Sequence, residues 1–179
     1  GERMNETPSI DRDMAMIFKN GKLYPQMNIY DNLAFGLKLK ELPIGEIDAR
    51  IAEVTQVLNI GHLLDKMTED LDEKERALVV LGRAIVKKPK VFLLDEPFSS
   101  LSKELKKEMQ ELLWSLYEKM QITVVYVTHN SEDIRHTDTR VAVMNDGSVQ
   151  QIGTIGELYD KPATPYVSEF LGVPAEEVC

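Results

Sequence analysis

"KVFLLDEPFSSL", residues 90–101, decides the fold. Val91, Phe92, Leu93 and Leu94 are an unbroken apolar run, and two carboxylates, Asp95 and Glu96, follow at once, then Pro97. "KKPK" before the run and Pro97 after it are breakers, so the run is short and sharply bounded. A stretch of that length and those flanks reads as a central strand of a parallel sheet, apolar on both faces. Two adjacent negative charges at its carboxyl end then need a purpose, because function in open parallel sheets collects at the carboxyl ends of strands.

Outward from this strand the chain alternates. "ITVVYVTH" (122–129) is a second buried strand, and "KELKKEMQELLWSLYEKM" (103–120) between the two is an amphipathic helix with Leu105, Met109, Leu112, Leu116 and Met120 as its stripe. On the other side, residues 73–87 read as a helix with Leu78, Leu81, Ala84 and Ile85 inward, and "MAMIF" (14–18) reads as a short buried strand. Between them, "YDNLAFGLKLK" (30–40) reads as a helix capped by Asp31 or Asn32. "EIDARIAEVTQVLNI" (46–60) places Ile47, Ile51, Val54 and Leu58 on one helical face, with Gly61 ending it. "TRVAVMNDGSVQQIG" (139–153) is a hairpin turning at Asn145-Asp146-Gly147, and two short helices follow. The fold class expected is α/β with a parallel sheet core, interrupted by an inserted helical subdomain at about 28–87. The core remainder is 10–27 and 88–160, with a tail at 161–179.

The 179 residues are enough for one domain with a real core. A formal charge of −9 disfavours a nucleic-acid backbone as partner. One cysteine, Cys179, allows no intrachain disulfide. The polar start shows no signal peptide, and no apolar run approaches the ~20 residues of a membrane span, so a soluble intracellular chain is expected.

The candidate chemistry is phosphoryl transfer. A strand-end carboxylate such as Asp95 can hold Mg²⁺, a hard cation that takes oxygen ligands and keeps waters. A second carboxylate, Glu96, can deprotonate an attacking water, and His129, at the end of the next strand, can reach a terminal phosphate. The plainer reading, a helix cap and a loop histidine, is weakened by the recurrence of polar groups at both strand ends.

These stretches resemble a known family. "VFLLDEPFSSL" is similar to the Walker B segment and D-loop of ATP-binding-cassette (ABC) ATPases, a branch of the P-loop NTPase fold, and "VYVTHNSED" (125–133) to their switch-histidine segment. "DRDMAMIFKNGKLYPQMNIYDNLAFGLKL" (11–39) resembles the Q-loop region and the start of the helical subdomain. "LGRAIVKKPKVFLLDEP" (81–97) resembles the stretch after the signature motif, and residues 140–172 resemble the end of the cassette. The resemblance covers nearly the whole chain and is strongest to ATPase subunits of maltose- or glycerol-phosphate-type importers. It implies ATP and Mg²⁺ as cofactors, Asp95 as the metal residue, Glu96 as the catalytic glutamate and His129 as the switch histidine. It further implies a second cassette subunit as partner, and contact with the transporter's membrane subunits around Leu23, Tyr24, Pro25, Gln26 and Met27. The corresponding location is cytoplasmic, peripheral at the inner face of the cell membrane.

The pattern departs from the family at four places. No G-x-x-x-x-G-K-[ST] phosphate loop occurs in the 179 residues. Where the family signature reads Leu-Ser-Gly-Gly-Gln, this chain has Leu71-Asp72-Glu73-Lys74-Glu75, which would set carboxylates against a phosphate. Lys19 stands where the family has glutamine, and Ser102 replaces the D-loop aspartate. Lys19 and Asp72 are thus altered nucleotide-binding positions, with Lys19 able to pair with a phosphate or with Glu96. Two functions are expected from this: an importer ATPase subunit impaired in ATP binding and hydrolysis, or an inactive cassette that docks on a permease or a second cassette. A soluble ABC ATPase unrelated to transport is disfavoured by Leu23-Tyr24-Pro25. A partial sheet with one open edge is the structural expectation.

Overall fold

The computed structural model describes residues 3–19, 21–120, 122–134 and 139–173. The chain divides into two compact units, 1–127 and 128–179.

The first unit holds β1 (Met14–Ile17), α1 (Ile29–Lys38), α2 (Ile44–Leu58), α3 (Glu73–Ile85), β2 (Val91–Asp95), α4 (Lys103–Met120) and β3 (Thr123–Val127). The strands form a parallel sheet in the order β1-β2-β3, so the apolar run of the opening motif is its central strand. Parallel neighbours need crossovers, and helices supply both: α4 between β2 and β3, and the three helices α1 to α3 between β1 and β2. This is the α/β architecture that the sequence predicts.

Alternation along the strands sorts the side chains into two faces. Ala15, Ile17, Phe92 and Leu94 point to the helices and are buried at 1–4% exposure. Met14, Met16, Val125 and Val127 point the other way and are exposed. The register aligns Met16 with Leu93 and Leu93 with Val125, so this outer face carries a continuous apolar row. Parallel sheets are ordinarily covered on both faces; among the described residues this one is covered on one. Phe92, 1% exposed at the centre of the covered face, contributes about 2–3 kcal/mol of burial.

Helix faces follow the predicted periodicity. Ile47, Ile51, Val54 and Leu58 of α2 are all buried, as are Leu81, Ala84 and Ile85 of α3, whereas Leu78 is only partly so and Val79 takes the deeper position. Helix α4 buries Met109, Leu113 and Leu116, with Trp114 lying 5.8 Å from the Tyr126 ring of β3. Two helix ends differ from expectation. The cap of α1 is Asn28, whose side chain accepts the Asp31 N–H at 2.8 Å; Asp31 and Asn32 lie inside the helix. Helix α2 stops at Asn59 in the left-handed region (φ 54°), two residues before Gly61, because asparagine tolerates that conformation.

The second unit is a hairpin, β4 (Arg140–Asn145) with β5 (Ser148–Thr154), followed by α5 (Ile155–Asp160) and α6 (Pro165–Leu171). Asp146 and Gly147 turn it, both at positive φ as a tight hairpin turn requires. Val143, Leu158, Val167 and Leu171 form its own small core.

Candidate functional site

The site begins where β2 ends. Glu96 leaves the strand in the left-handed region, φ 45°, directly before Pro97. A side chain with a Cβ pays about 1–2 kcal/mol for that conformation, and proline further restricts the residue before it. The backbone N–H of Glu96 donates to the Val127 carbonyl at 3.0 Å, which ties the turn to the end of β3. Strain held at a strand end makes Glu96 a candidate functional position.

Lys19 reaches this glutamate from just past the end of β1. The last pair of β1 with β2 is Ile17 with Leu94, and Lys19 and Glu96 each lie two residues beyond it. Lys19 Nζ donates to Glu96 Oε2 at 2.8 Å; the carboxylate side chain is 20% exposed and the lysine 57%. Of the two pairings open to Lys19 in the sequence, the structure shows the one with Glu96.

Asp95 ends β2 half-buried, and its side chain makes no hydrogen bond or ion pair among the described residues. No cluster of three acidic, histidine or cysteine side chains capable of caging a metal occurs among them either. A lone hard carboxylate fits Mg²⁺, which retains waters and leans on substrate phosphates rather than on an all-protein cage.

Asp72 is committed to its own helix. As N-cap of α3 it accepts the Glu75 N–H at 2.7 Å, while the Glu75 carboxylate accepts the Asp72 N–H at 3.1 Å. The Lys66 ammonium, with help from that N–H, holds the Glu75 carboxyl below the usual range. The family-like helix start is therefore filled by this chain's own carboxylates. Asp72→Ala is expected to lower stability by about 1 kcal/mol in urea denaturation, as loss of an N-cap does.

His129 belongs to the second unit, exposed on the turn after β3. That turn is built by Thr128, whose hydroxyl donates to Asp133 Oδ2 at 2.7 Å and accepts the Asn130 N–H at 3.0 Å.

Two features were not singled out in the sequence. One is a cleft of about 480 Å³ in the first unit, lined by Lys19, Lys22, Tyr24, Phe35, Arg83 and Lys87 among others. Arg83 stacks 5.2 Å from the Tyr24 ring centroid, and its buried Nη1 has no hydrogen-bond partner among the described residues. Burial lowers the pKa of both Arg83 and Lys87, and the mutual repulsion of Lys87 with Arg83 and Lys40 adds to the effect on the lysine. The four-residue spacing of Arg83 and Lys87, the latter opening "KKPK", was the available signal. The other is the loop-holding role of Asn32, which the sequence offers only as a helix cap: it is fully buried, and its side chain holds the backbone of residues 24–28 through four hydrogen bonds.

A family profile described as ABC transporter matches residues 1–99, more than half of the chain. The chain belongs to the ABC transporter family. It is 46% identical over 167 residues to the trehalose/maltose import ATP-binding protein MalK of Thermococcus litoralis, covering 93% of this chain and 45% of that protein. It is 43% identical over 175 residues to the oligosaccharides import ATP-binding protein MsmX of Bacillus subtilis, covering 98% of this chain and 48% of that protein. Among solved structures it resembles cbiO1 of Clostridium perfringens, part of the ABC transporter complex cbiONQ, with a TM-score of 0.74 and 27% identity over 85% of this chain and 61% of that one. The chain spans about half the length of the curated relatives it matches. As an ABC transporter sequence it contains no helix, among the described residues, long and apolar enough to cross a membrane.

Proposed function

We propose that the chain is part of the ATP-hydrolysing subunit of an ABC importer for a sugar or oligosaccharide, placed at the cytoplasmic face of the membrane. The observation that carries the reading is Glu96, held in a strained backbone at the carboxyl end of the central strand, beside Asp95. Asp95 would hold Mg²⁺ through water, and the ion would offset charge on the phosphates of ATP. Glu96 would take the proton of the water whose oxygen bonds to the γ-phosphorus as the P–O bond to ADP breaks. His129 would contact the terminal phosphate. The relatives' names, which describe sugar import ATP-binding proteins, support the substrate class.

Turnover by this chain is proposed to be slow. Lys19 engages the oxygen of Glu96, and the carboxylates of Asp72 and Glu75 already take the amides at the start of α3. The second reading, a cassette retained for docking, is favoured by that filled helix start alone. A titration of the full-length protein with ATP and Mg²⁺, with hydrolysis followed in parallel, decides: micromolar binding with measurable phosphate release supports the enzyme, and no binding supports the docking module.

The docking surface proposed is the cleft edged by Tyr24, within the 23–27 stretch, and its occupant is an acidic segment of the importer's membrane subunit. Three cations, Lys22, Arg83 and Lys87, line it with no carboxylate residue in the lining among the described residues, and the buried Arg83 Nη1 lacks an acceptor that a partner carboxylate would provide. Lys22→Glu, a change at an exposed position, should reduce co-purification with the membrane subunits by about tenfold. Unchanged co-purification with Lys22→Glu and with Arg83→Met would place the partner elsewhere.

A further inference from the structure

We propose that Lys87 is a modification site, where an acyl group passes to the lysine amine from an anionic donor of the acyl phosphate class. Four observations carry it. Lys87 has no hydrogen bond or ion pair among the described residues, whereas the lysines around it do: Lys88 pairs with Glu53 at 2.7 Å, and Lys40 and Lys90 share Asp13 at 3.2 and 3.3 Å. Its stem runs over Gly36 of α1, where a Cβ would stand 2.6 Å from Lys87 Cε, so the helix leaves room for this side chain. Its backbone is held at the end of α3: the Val86 N–H donates to the Gly82 carbonyl at 2.9 Å and the Lys88 N–H to the Ile85 carbonyl at 2.8 Å. The side chain borders two clefts of the first unit, the one of about 480 Å³ already described and one of about 370 Å³ lined by Asp13, Leu39 and Lys40 among others, yet the residue is exposed and so open to a reagent.

The surroundings supply both halves of an acylation site. The charged groups that face Lys87 are Arg83 one turn earlier, Lys40 just past α1, and Lys22 and Lys19 in the lining of the first cleft, where Lys19 is paired with Glu96. The carboxylate in the second cleft, Asp13, is taken by Lys40 and Lys90. Partial burial, then repulsion from Arg83 and Lys40, lowers the pKa of the amine, so more of it stands neutral and nucleophilic than at a solvated lysine. Crowded cations also attract an anion, and the buried Arg83 Nη1, without a hydrogen-bond partner among the described residues, is a donor for a phosphate oxygen. In the step, the Nζ lone pair bonds to the acyl carbon, the bond from that carbon to the phosphate oxygen breaks, and the nitrogen's proton leaves with the phosphate. The product is an uncharged amide, so the cleft loses one cation. Lys88, the adjacent lysine, has Glu53 in place of an anion seat.

The test treats the full-length protein with acetyl phosphate and reads the acetylation rate of each lysine by mass spectrometry. Lys87 should react about tenfold faster than Lys88. Inorganic phosphate should slow Lys87 about threefold and leave Lys88 unchanged, because the competitor takes the same cations. Gly36→Ala keeps every charge but displaces the stem toward solvent, and should bring Lys87 to within about twofold of Lys88. A Lys87 rate no greater than that of Lys88, a rate indifferent to phosphate, or an unchanged ratio in Gly36→Ala overturns the proposal. The effect on docking rests on the cleft's proposed role with the membrane subunit. Lys87→Gln, which copies the loss of charge, should reduce co-purification with that subunit about fivefold, and Lys87→Arg should not. Preferential acetylation together with full co-purification of Lys87→Gln would keep the modification site and move the membrane subunit elsewhere.

Discussion

Glu96→Gln is expected to lower ATP hydrolysis by about 10²–10⁴-fold in the full-length protein without weakening ATP binding. The amide has the same shape but cannot accept the proton of an attacking water, so the loss falls on kcat. Binding should not suffer, because the phosphates lose no contact and Lys19 is set free to meet them. Fold damage is excluded as a cause by the backbone: glutamine meets the same cost at φ 45° as glutamate. Glu96→Gly makes the separation sharper. Glycine removes the left-handed penalty, so that variant should be more stable by about 1 kcal/mol, less the few tenths that an exposed ion pair contributes, and still be inactive. A protein that becomes sturdier as it loses turnover identifies strain retained for chemistry. Hydrolysis by Glu96→Gln at a rate within a few-fold of the parent would remove the glutamate, and with it the enzymatic reading of this strand end.

The parts of this molecule that were legible in the sequence are those set by short-range pattern. Val91–Asp95 and Lys103–Met120 lie where the apolar run and the amphipathic stripe predict them, and the hairpin turns where Asp146-Gly147 predicts. The strand ends with Asp95 and Glu96 were legible because adjacent charges after a buried run are costly without a use. The cap of α1 was not, since Asn28, Asp31 and Asn32 are all capping types within five positions and only the path of the preceding loop selects among them. The partner of Lys19 was left open because two anions could claim it, and the choice depends on the register of strands 77 residues apart along the chain. The cationic cleft was missed for a similar reason. Arg83 and Lys87 look like solvated helix positions until α1 and the segment after β1 close over them, and then burial works against their charge.

Asn32 shows the same limit with the largest consequence for the fold. In the sequence it is a polar residue near a helix start, yet it is 0% exposed, and it is the anchor of the preceding loop. Its Oδ1 accepts the Tyr24 N–H at 2.8 Å, and its Nδ2 donates to the carbonyls of Tyr24, Met27 and Asn28 at 3.0–3.1 Å. A side-chain amide has one acceptor and two donor hydrogens, so no other residue of this size serves both kinds of group at once. Asn32→Ala leaves an N–H and several carbonyls to find water and opens a small void beside Ile29 and Leu33, both buried in the same helix. Some of those backbone groups are only partly buried and will rehydrate, which brings the expected loss to about 2–3 kcal/mol, or about 10 °C in Tm. Asn32→Asp should be at least as damaging: it keeps the acceptor for Tyr24 but turns a negative charge on three carbonyls. The loss should also be directional. Hydrogen exchange at Tyr24 should accelerate well before exchange in β2, because the loop is released while the sheet stays closed. Since Tyr24 edges the cationic cleft and stacks with Arg83, the same variant should weaken docking to the membrane subunit with Arg83 still present. Stability within 0.5 kcal/mol of the parent, a threshold typical of neutral surface changes, would mean that the loop holds its course without this amide.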